Sequence, residues 1–239
     1  MRVFAIADPH LSRAFPKPMD IFGGNWEGHP EAFFSGWREM VGPEDLVIIA
    51  GDISWAMRLE DALLDLQDIA KLPGTKVLLR GNHDYWWGSI GRVRSALPNS
   101  MYALQNDSLV IGDVAIAGTR GWDVPGSREL TPEDAKIYRR EAERLRLSLE
   151  SLKGKPYRYL VLALHYPPFG PGGEKSAFTD LIEQYRPDAV LYGHLHGADG
   201  RRLPQDWKGI PLHFVAADYL QFKPKLIFDT SLRNDSPEE

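Results

Sequence analysis

Lys76-Val77-Leu78-Leu79-Arg80-Gly81-Asn82-His83-Asp84 begins as an apolar run and turns abruptly polar. The run reads as a buried strand, and a Gly at its end lets the backbone turn sharply. An amide oxygen, an imidazole and a carboxylate then follow in order. Polar chemistry just past a buried strand is where an open α/β sheet keeps its active site. Taken alone, the four residues fit a polar turn with one hydrogen-bonded His equally well, so the flanking chain decides.

The same pattern recurs on both sides of it. Residues 2–7 read as a strand ending in Asp8-Pro9-His10. In an extended chain, positions i and i+2 face one side, and Pro9 favours an extended Asp8, so Asp8 and His10 are expected to converge. Residues 45–50 form a strand ending in Gly51-Asp52, and residues 159–164 one ending at His165. Residues 189–192 end in Gly193-His194-Leu195-His196, again with two imidazoles at i and i+2. Helices separate these strands. One spans 30–40, with Pro30 in its first turn and Gly42 beyond its end. A second spans 59–72, with Leu59, Leu63, Leu66 and Ile69 on one side and Pro73-Gly74 as its stop. A short helix runs to Leu97, and another is expected over 177–185. Thr131-Pro132-Glu133-Asp134 starts a helix that continues to Leu152, its Arg and Glu residues forming a solvated face. Strand and helix alternate as in a parallel α/β sheet.

Other stretches are less regular. Residues 102–104, 108–111 and 114–117, with turn signals at Asn106-Asp107 and Gly112-Asp113, predict an antiparallel meander. Residues 211–216 and 224–228 read as closing strands, and 236–239 as a frayed tail. Residues 11–28, rich in Pro, Gly and aromatics, form a long loop of the kind that is functional or mobile.

Composition narrows the class. The 239 residues are expected to form a single domain over 1–239; 43% are hydrophobic and 26% charged, as in soluble globular proteins. The absence of Cys excludes disulfides and thiolate metal sites. A net charge of -5 argues against broad nucleic-acid binding. No apolar stretch approaches the roughly 18 residues of a membrane span. Met1 to Ala7 is too short for a signal peptide, so a bacterial-type cytoplasmic enzyme is the default expectation.

Of the seven His, five (His10, His83, His165, His194 and His196) stand at strand ends beside Gly, Asp or Asn, while His29 and His213 read as structural. Buried polar groups cost free energy unless paired, and a core has no use for so many. Imidazole, carboxylate and amide oxygen without thiolate suit Mn, Fe, Zn, Co or Ni better than Ca or Mg alone. Besides His83 there are seven candidate ligands: Asp8, His10, Asp52, Asn82, His165, His194 and His196. That is too many for one tetrahedral ion and about right for two divalent ions sharing a bridge.

Asp8-x-His10, Gly51-Asp52, Gly81-Asn82-His83-Asp84, His165 and Gly193-His194-x-His196, in this order, resemble the calcineurin-like metallophosphoesterase superfamily. The resemblance implies a four-layer αββα sandwich of two mixed β-sheets flanked by helices. It implies a dinuclear site, with Mn favoured. Asp8, His10, Asp52 and His196 would hold one ion; Asp52 would bridge to the second, completed by Asn82, His165 and His194. His83 would face the substrate, a small phosphomonoester or phosphodiester attacked by a metal-bridging hydroxide.

Two departures from the family pattern sharpen this. Protein Ser/Thr phosphatases of the superfamily carry an Asp where this chain has Trp55, so a phosphoprotein substrate is disfavoured. That Asp pairs with the catalytic His there, which leaves Asp84 as a candidate for orienting His83. Val215-Ala216-Ala217-Asp218 stands where many small phosphodiesterases have an Asn-Pro-Gly-Ser-like turn. Trp55, Tyr85, Trp86, Trp87 and Trp122 either pack the loops together or wall a substrate site, and Arg120 and Trp122 are candidate substrate contacts. The expected partner is thus a small phosphoester, with no membrane and with nucleic acid disfavoured. The competing readings are a non-catalytic protein-binding module on the same fold and a DNA nuclease of the superfamily.

Overall fold

The computed structural model describes residues 1–126 and 128–232; the tail expected at 236–239 lies outside them. Five strands form one sheet: β1 (Arg2–Ile6), β2 (Leu46–Ala50), β3 (Thr75–Leu79), β4 (Met101–Ala103) and, at the chain's end, β11 (Lys225–Asp229). Their order is β11-β1-β2-β3-β4, with β1 to β4 mutually parallel and β11 antiparallel at the edge. Six strands form the other: β5 (Ser108–Ile111), β6 (Val114–Thr119), β7 (Tyr159–Leu164), β8 (Ala189–Tyr192), β9 (Asp206–Trp207) and β10 (Ile210–Phe214). Their order is β5-β6-β7-β8-β10-β9, with antiparallel pairs only at the two edges.

The continuous apolar runs follow from burial on both faces. Side chains alternate along a strand, so each run splits into two sets. In β2, Leu46, Ile48 and Ala50 join Val77 of β3 and Val161, Ala163 and Leu191 of the second sheet in the layer between the sheets. Val47 and Ile49 point the other way, into a core with Phe33 and Trp37 of α1 (His29–Met40), Leu66 and Ile69 of α2 (Leu59–Ala70), and Val93 of α3 (Ile90–Ala96). On the far side, Leu162, Val190 and Tyr192 pack with Leu145 and Leu149 of α4 (Pro132–Glu150) and Phe178 and Ile182 of α5 (Ala177–Tyr185). Helices, sheet, sheet, helices: this is the expected sandwich.

Local signals set the helix starts. Thr131 caps α4, its hydroxyl taking Asp134 N–H at 3.1 Å while the Asp134 carboxylate takes the Thr131 N–H at 3.0 Å. Ser176 and Thr179 do the same for α5. The solvated face of α4 is present as Arg146 pairing with Glu143 and Glu150, but Glu141 departs from it: it is buried and holds Thr119, Arg120 and Arg144.

The meander was not found. β4 pairs in parallel with β3, and only β5 and β6 form the antiparallel hairpin, in the other sheet. Residues 104–107 therefore carry the chain from one sheet to the other. The long loop at 11–28 contains two short 3-10 turns, Asp20–Phe22 and Gly24–Trp26, and buries Trp26. No helix of the described residues is long and apolar enough to cross a membrane.

One buried cation serves the fold. Lys76 in β3 reaches the end of α2, its ammonium donating to the Leu72 carbonyl and to Ala70 O at 3.4 Å, and burial pushes its pKa down to about 8. It supplies donors that a helix C-terminus lacks. Lys76→Met is expected to lose about 1–3 kcal/mol of stability, read as a lower urea midpoint at unchanged slope. An unchanged midpoint would show that this cap is dispensable.

Candidate metal centre

Parallel strands bring their C-terminal ends to one edge, and the registers align them. Ile6 pairs with Ile49, Ile49 with Leu78, and Thr119 with Leu164. The two sheets also join here: Ala7 N–H donates to Val215 O at 2.7 Å, and Ala217 N–H to Ala7 O at 2.9 Å. Loops separated by up to 186 residues thereby meet, as shown by His10 Nε2 standing 3.0 Å from His196 Nε2.

The way Asp8 and His10 converge differs from expectation. Asp8 is not extended: its φ is 60°, and His10, Asp52 and His194 also take left-handed values of 45°, 52° and 70°. Such φ values are uncommon for non-Gly residues and cluster at functional sites. The turns, rather than extended i, i+2 geometry, aim these side chains. Gly81 also serves differently from its expected role. Its φ is not left-handed; instead a Cβ there would lie 2.1 Å from Asp52 Oδ1 and 2.2 Å from Asp52 N. A Cβ on Gly193 would lie 2.4 Å from Asp8 Oδ2. The glycines permit close approach of loops carrying the carboxylates. Gly81→Ala is accordingly expected to cost roughly 1–3 kcal/mol of stability and to lower metal uptake, measured together by thermal unfolding and metal analysis. Wild-type values of both would mean that the Asp52 loop relaxes freely.

Asp8, His10, Asp52 and His196 each offer a ligand atom within 4.8 Å of the others. His165 continues the cluster, with Nε2 at 2.7 Å from Asn82 Oδ1 and 3.4 Å from Asp52 Oδ2, and Nδ1 at 3.8 Å from Asp8 Oδ1. The His194 ring lies 5.1 Å from the His165 ring and 3.9 Å from that of Tyr166. All seven expected ligand positions are thus brought together, with Asp52 between the two groups.

The donor set fits a cation. Among the described residues, Asp8 Oδ1 and Asp52 Oδ2 are buried without a hydrogen-bond partner. Buried unpaired carboxylate oxygens are costly, and the His10 and His196 nitrogens face each other across 3.0 Å. The titration behaviour points the same way. Burial pushes Asp8 up to about 7 against the pull of His165 and His196. Burial also opposes ionisation of Asp52, but His165 and His10 win and hold it below the usual carboxylate range. His165 is buried, yet Asp52 and Asp8 lift it to about 9. Burial pushes His194 down to about 3, helped by His165. Despite burial, His165, and His196 beside Asp218 and Asp8, are held above the usual imidazole range, in a site whose carboxylates call for positive charge.

His83 borders this group rather than joining it. Its ring is 5.7 Å from His10 and 4.5 Å from Trp55, and its N–H donates to Asp52 Oδ1 at 2.7 Å. Its Nδ1 is 3.4 Å from the Tyr85 hydroxyl, and burial lowers its pKa. Asp84, the candidate for orienting it, does something else. Its carboxylate accepts the backbone N–H groups of Ile53, Ser54 and Gly81 and the Trp86 indole N–H, at 2.7–3.2 Å. Asp84 therefore ties the Asp52 loop to the His83 loop, and Trp55 and Tyr85 are the groups beside His83.

The aromatics divide between the two roles. Trp86 and Trp87 are buried packing residues. Trp55 stacks on His10 at 4.7 Å with planes 18° apart. Trp122 lines a cavity of about 220 Å³ with Val124, Tyr166, Phe169 and His194. Arg120 lies over the Trp122 ring at 4.5 Å, and its Nη2 meets Glu141 at 3.4 Å.

One residue escaped the sequence reading, while His29 takes the structural role expected of it. Asp218 accepts Gly197 N–H at 2.7 Å and stands 3.8 Å from His196 Nδ1, backing that imidazole. A carboxylate behind a ligating His fixes its ring and raises its basicity. Buried His29 holds the carbonyls of Trp26 and His10 at 3.1 and 3.3 Å, supporting the His10 turn as a structural residue.

Known proteins share this architecture. A family model described as calcineurin-like phosphoesterase matches residues 1–198. Among solved structures, a phosphopantetheinyl hydrolase from Mycobacterium tuberculosis superposes with TM-score 0.59 at 16% identity, over 92% of this chain and 90% of that one. The protein TT1561 of Thermus thermophilus superposes with TM-score 0.52 at 18% identity, over 81% of each chain. No curated protein matches the sequence. At such identities the superpositions establish the fold, while the family match spans every strand-end motif from Asp8 to His196. The chain accordingly belongs to the calcineurin-like phosphoesterase family, and is a metal-dependent hydrolase of phosphoester bonds.

Proposed function

We propose that the protein hydrolyses a small phosphoester with a compact apolar group, at a site built for two divalent transition-metal ions, Mn being favoured. The carrying observation is that two buried oxygens, Asp8 Oδ1 and Asp52 Oδ2, set among converging imidazoles, have no hydrogen-bond partner among the described residues. One ion would sit among Asp8, His10, Asp52 and His196, and the other among Asp52, Asn82, His165 and His194. When bound, such ions supply Lewis acidity and a water made acidic enough to serve as nucleophile near neutral pH.

The chain's own residues do the rest. Trp55 holds the His10 ring by stacking and leaves His83 on the open side. Acceptance of the Tyr85 hydroxyl proton at Nδ1 would leave Nε2 of His83 as its N–H, free to face a phosphoryl oxygen or the leaving alkoxide. The cavity beside His194, at about 220 Å³, receives the organic group of the ester against Trp122 and Tyr166. A protein phosphatase reading is disfavoured by Trp55, and a nuclease reading by the net charge of -5.

The test is hydrolysis of p-nitrophenyl phosphomonoester and phosphodiester reporters with Mn, removal of activity by a chelator, and its return on adding Mn. A failure on both reporters with metal bound would sink this reading. Efficient dephosphorylation of a folded phosphoprotein would overturn the substrate class. Trp122→Ala is expected to lower kcat/KM about 3- to 10-fold for aryl esters, the worth of one aromatic contact, and to change a methyl ester little. An equal effect on both would place the organic group elsewhere.

A further inference from the structure

We propose that a second pocket, flanking the metal centre, binds a tetrahedral oxyanion through Arg80, Arg120 and Arg144. The pocket is a cavity of about 50 Å³ between the ends of β3 and β6, lined also by Asn106, Thr119 and Glu141. A buried water needs roughly 10–15 Å³ by this measure. The space therefore suits a few waters or one small oxyanion.

Its donors are in excess. Arg80 Nε and Arg120 Nε are buried with no hydrogen-bond partner among the described residues. A buried donor left unpaired is costly, and native structures rarely keep one without a ligand or water. Arg120 and Arg144 share one carboxylate, Glu141, which already takes three donors, and Arg80 lines the same pocket. The Glu141 oxygens take the Thr119 hydroxyl at 2.6 Å, Arg144 Nη1 at 2.7 Å and Arg120 Nη2 at 3.4 Å. The three guanidiniums lining the pocket thus outnumber its one carboxylate. The guanidinium fork matches tetrahedral oxyanions, whose several acceptors can take both free Nε–H groups at once. Asn106, whose buried Oδ1 also lacks a hydrogen-bond partner among the described residues, can turn its NH2 inward instead.

The position couples the pocket to the active end of the molecule. Arg80 directly precedes Gly81-Asn82. The Arg120 carbonyl accepts the N–H groups of His165 and Tyr166, both at 3.0 Å. The oxyanion is either free, as phosphate or sulfate, or a second phosphoryl group of the substrate; both have the same chemistry. The pocket does not rest on the reading of the metal centre, because its donors are separate.

The probe is sulfate, added to the metal-loaded protein at about 20 mM against chloride of equal ionic strength. For a Kd near 1 mM, the thermal midpoint is expected to rise by roughly 3–6 °C. Arg80→Gln and Arg144→Gln should each remove at least half of that rise. Arg144, on the partly exposed face of α4, carries the test if Arg80→Gln does not fold. No sulfate-specific rise, or a full rise in both variants, would overturn the proposal; the latter would place the anion at the metal centre. Steady-state kinetics on Arg144→Gln separate the two sources. A KM raised about tenfold only for an aryl ester bearing a second phosphoryl group assigns the pocket to substrate. Unchanged KM values alongside a lost sulfate response assign it to a free oxyanion.

Discussion

His83→Ala and His83→Asn are expected to lower turnover on the order of 10²–10⁴-fold, the usual worth of a positioned acid or base. Metal content should stay at the wild-type level, because the His83 ring borders the cluster at 5.7 Å from His10 and is not needed to complete it. The fold should also persist, since the side chain is only half-buried in a loop. Burial lowers the His83 pKa, so near neutral pH the imidazole is mainly neutral before a phosphate arrives. A bound phosphate anion favours its protonated form. Protonation of the departing oxygen by His83 would make the loss largest for alkyl esters and small for p-nitrophenyl esters, whose leaving group departs without help. An equal loss for both would assign His83 to holding the phosphoryl oxygens. Near-wild-type rates on every ester would remove His83 from the reaction. Metal must be measured on each variant, because lost metal mimics lost catalysis.

Asp52→Asn is expected to be at least as severe, on the order of 10³-fold or more in activity, and for a different reason. Asp52 Oδ2 is 3.4 Å from His165 Nε2 and 3.7 Å from His10 Nε2, which places it between the two groups of ligands. The substitution removes the carboxylate charge that both groups face. Metal per chain should fall at both positions, not at one. A second readout needs no activity: Asp52 is among the charges that lift His165 to about 9, so His165 should titrate lower in the metal-free variant. NMR of the imidazole protons would follow it. Retention of two ions per chain would refute the bridging role, whatever happened to the rate. The Asn side-chain oxygen can still accept the His83 N–H, which Asp52 Oδ1 takes at 2.7 Å in the native protein, so the loop itself should survive.

Much of this architecture was legible before any coordinates. Strands β2, β3, β7 and β8 are short apolar runs bounded by Gly, Asp, Asn or His, and their ends fell within a residue of expectation. Their composition reflects burial on both faces, a local property of the chain. The helices carry their own start signals, such as the Thr131–Asp134 and Ser176–Thr179 capping boxes. The motif order from Asp8 to His196 is likewise linear information, and it pointed to the family and to a clustered set of imidazoles and carboxylates.

Tertiary structure alone decided the rest, because the deciding contacts join residues far apart in the chain. The antiparallel meander failed on this point: β4 and β5 have only three and four residues, too few for local pattern to choose a partner, and packing sent them to different sheets. Asp218 backs His196 across a chain reversal, and no spacing announces it. Asp84 sits beside His83 in sequence yet commits its oxygens to the Ile53 and Ser54 amides, since adjacent side chains diverge. The left-handed turns at Asp8, His10, Asp52 and His194 are strained states that surrounding contacts must impose. The same holds for Arg80, Arg120 and Arg144, which come from a strand end, a second strand end and a helix. Sequence determined which polar groups end the strands; the junction of two sheets determined which of them share one charge-hungry space, because only that junction removes them from water together.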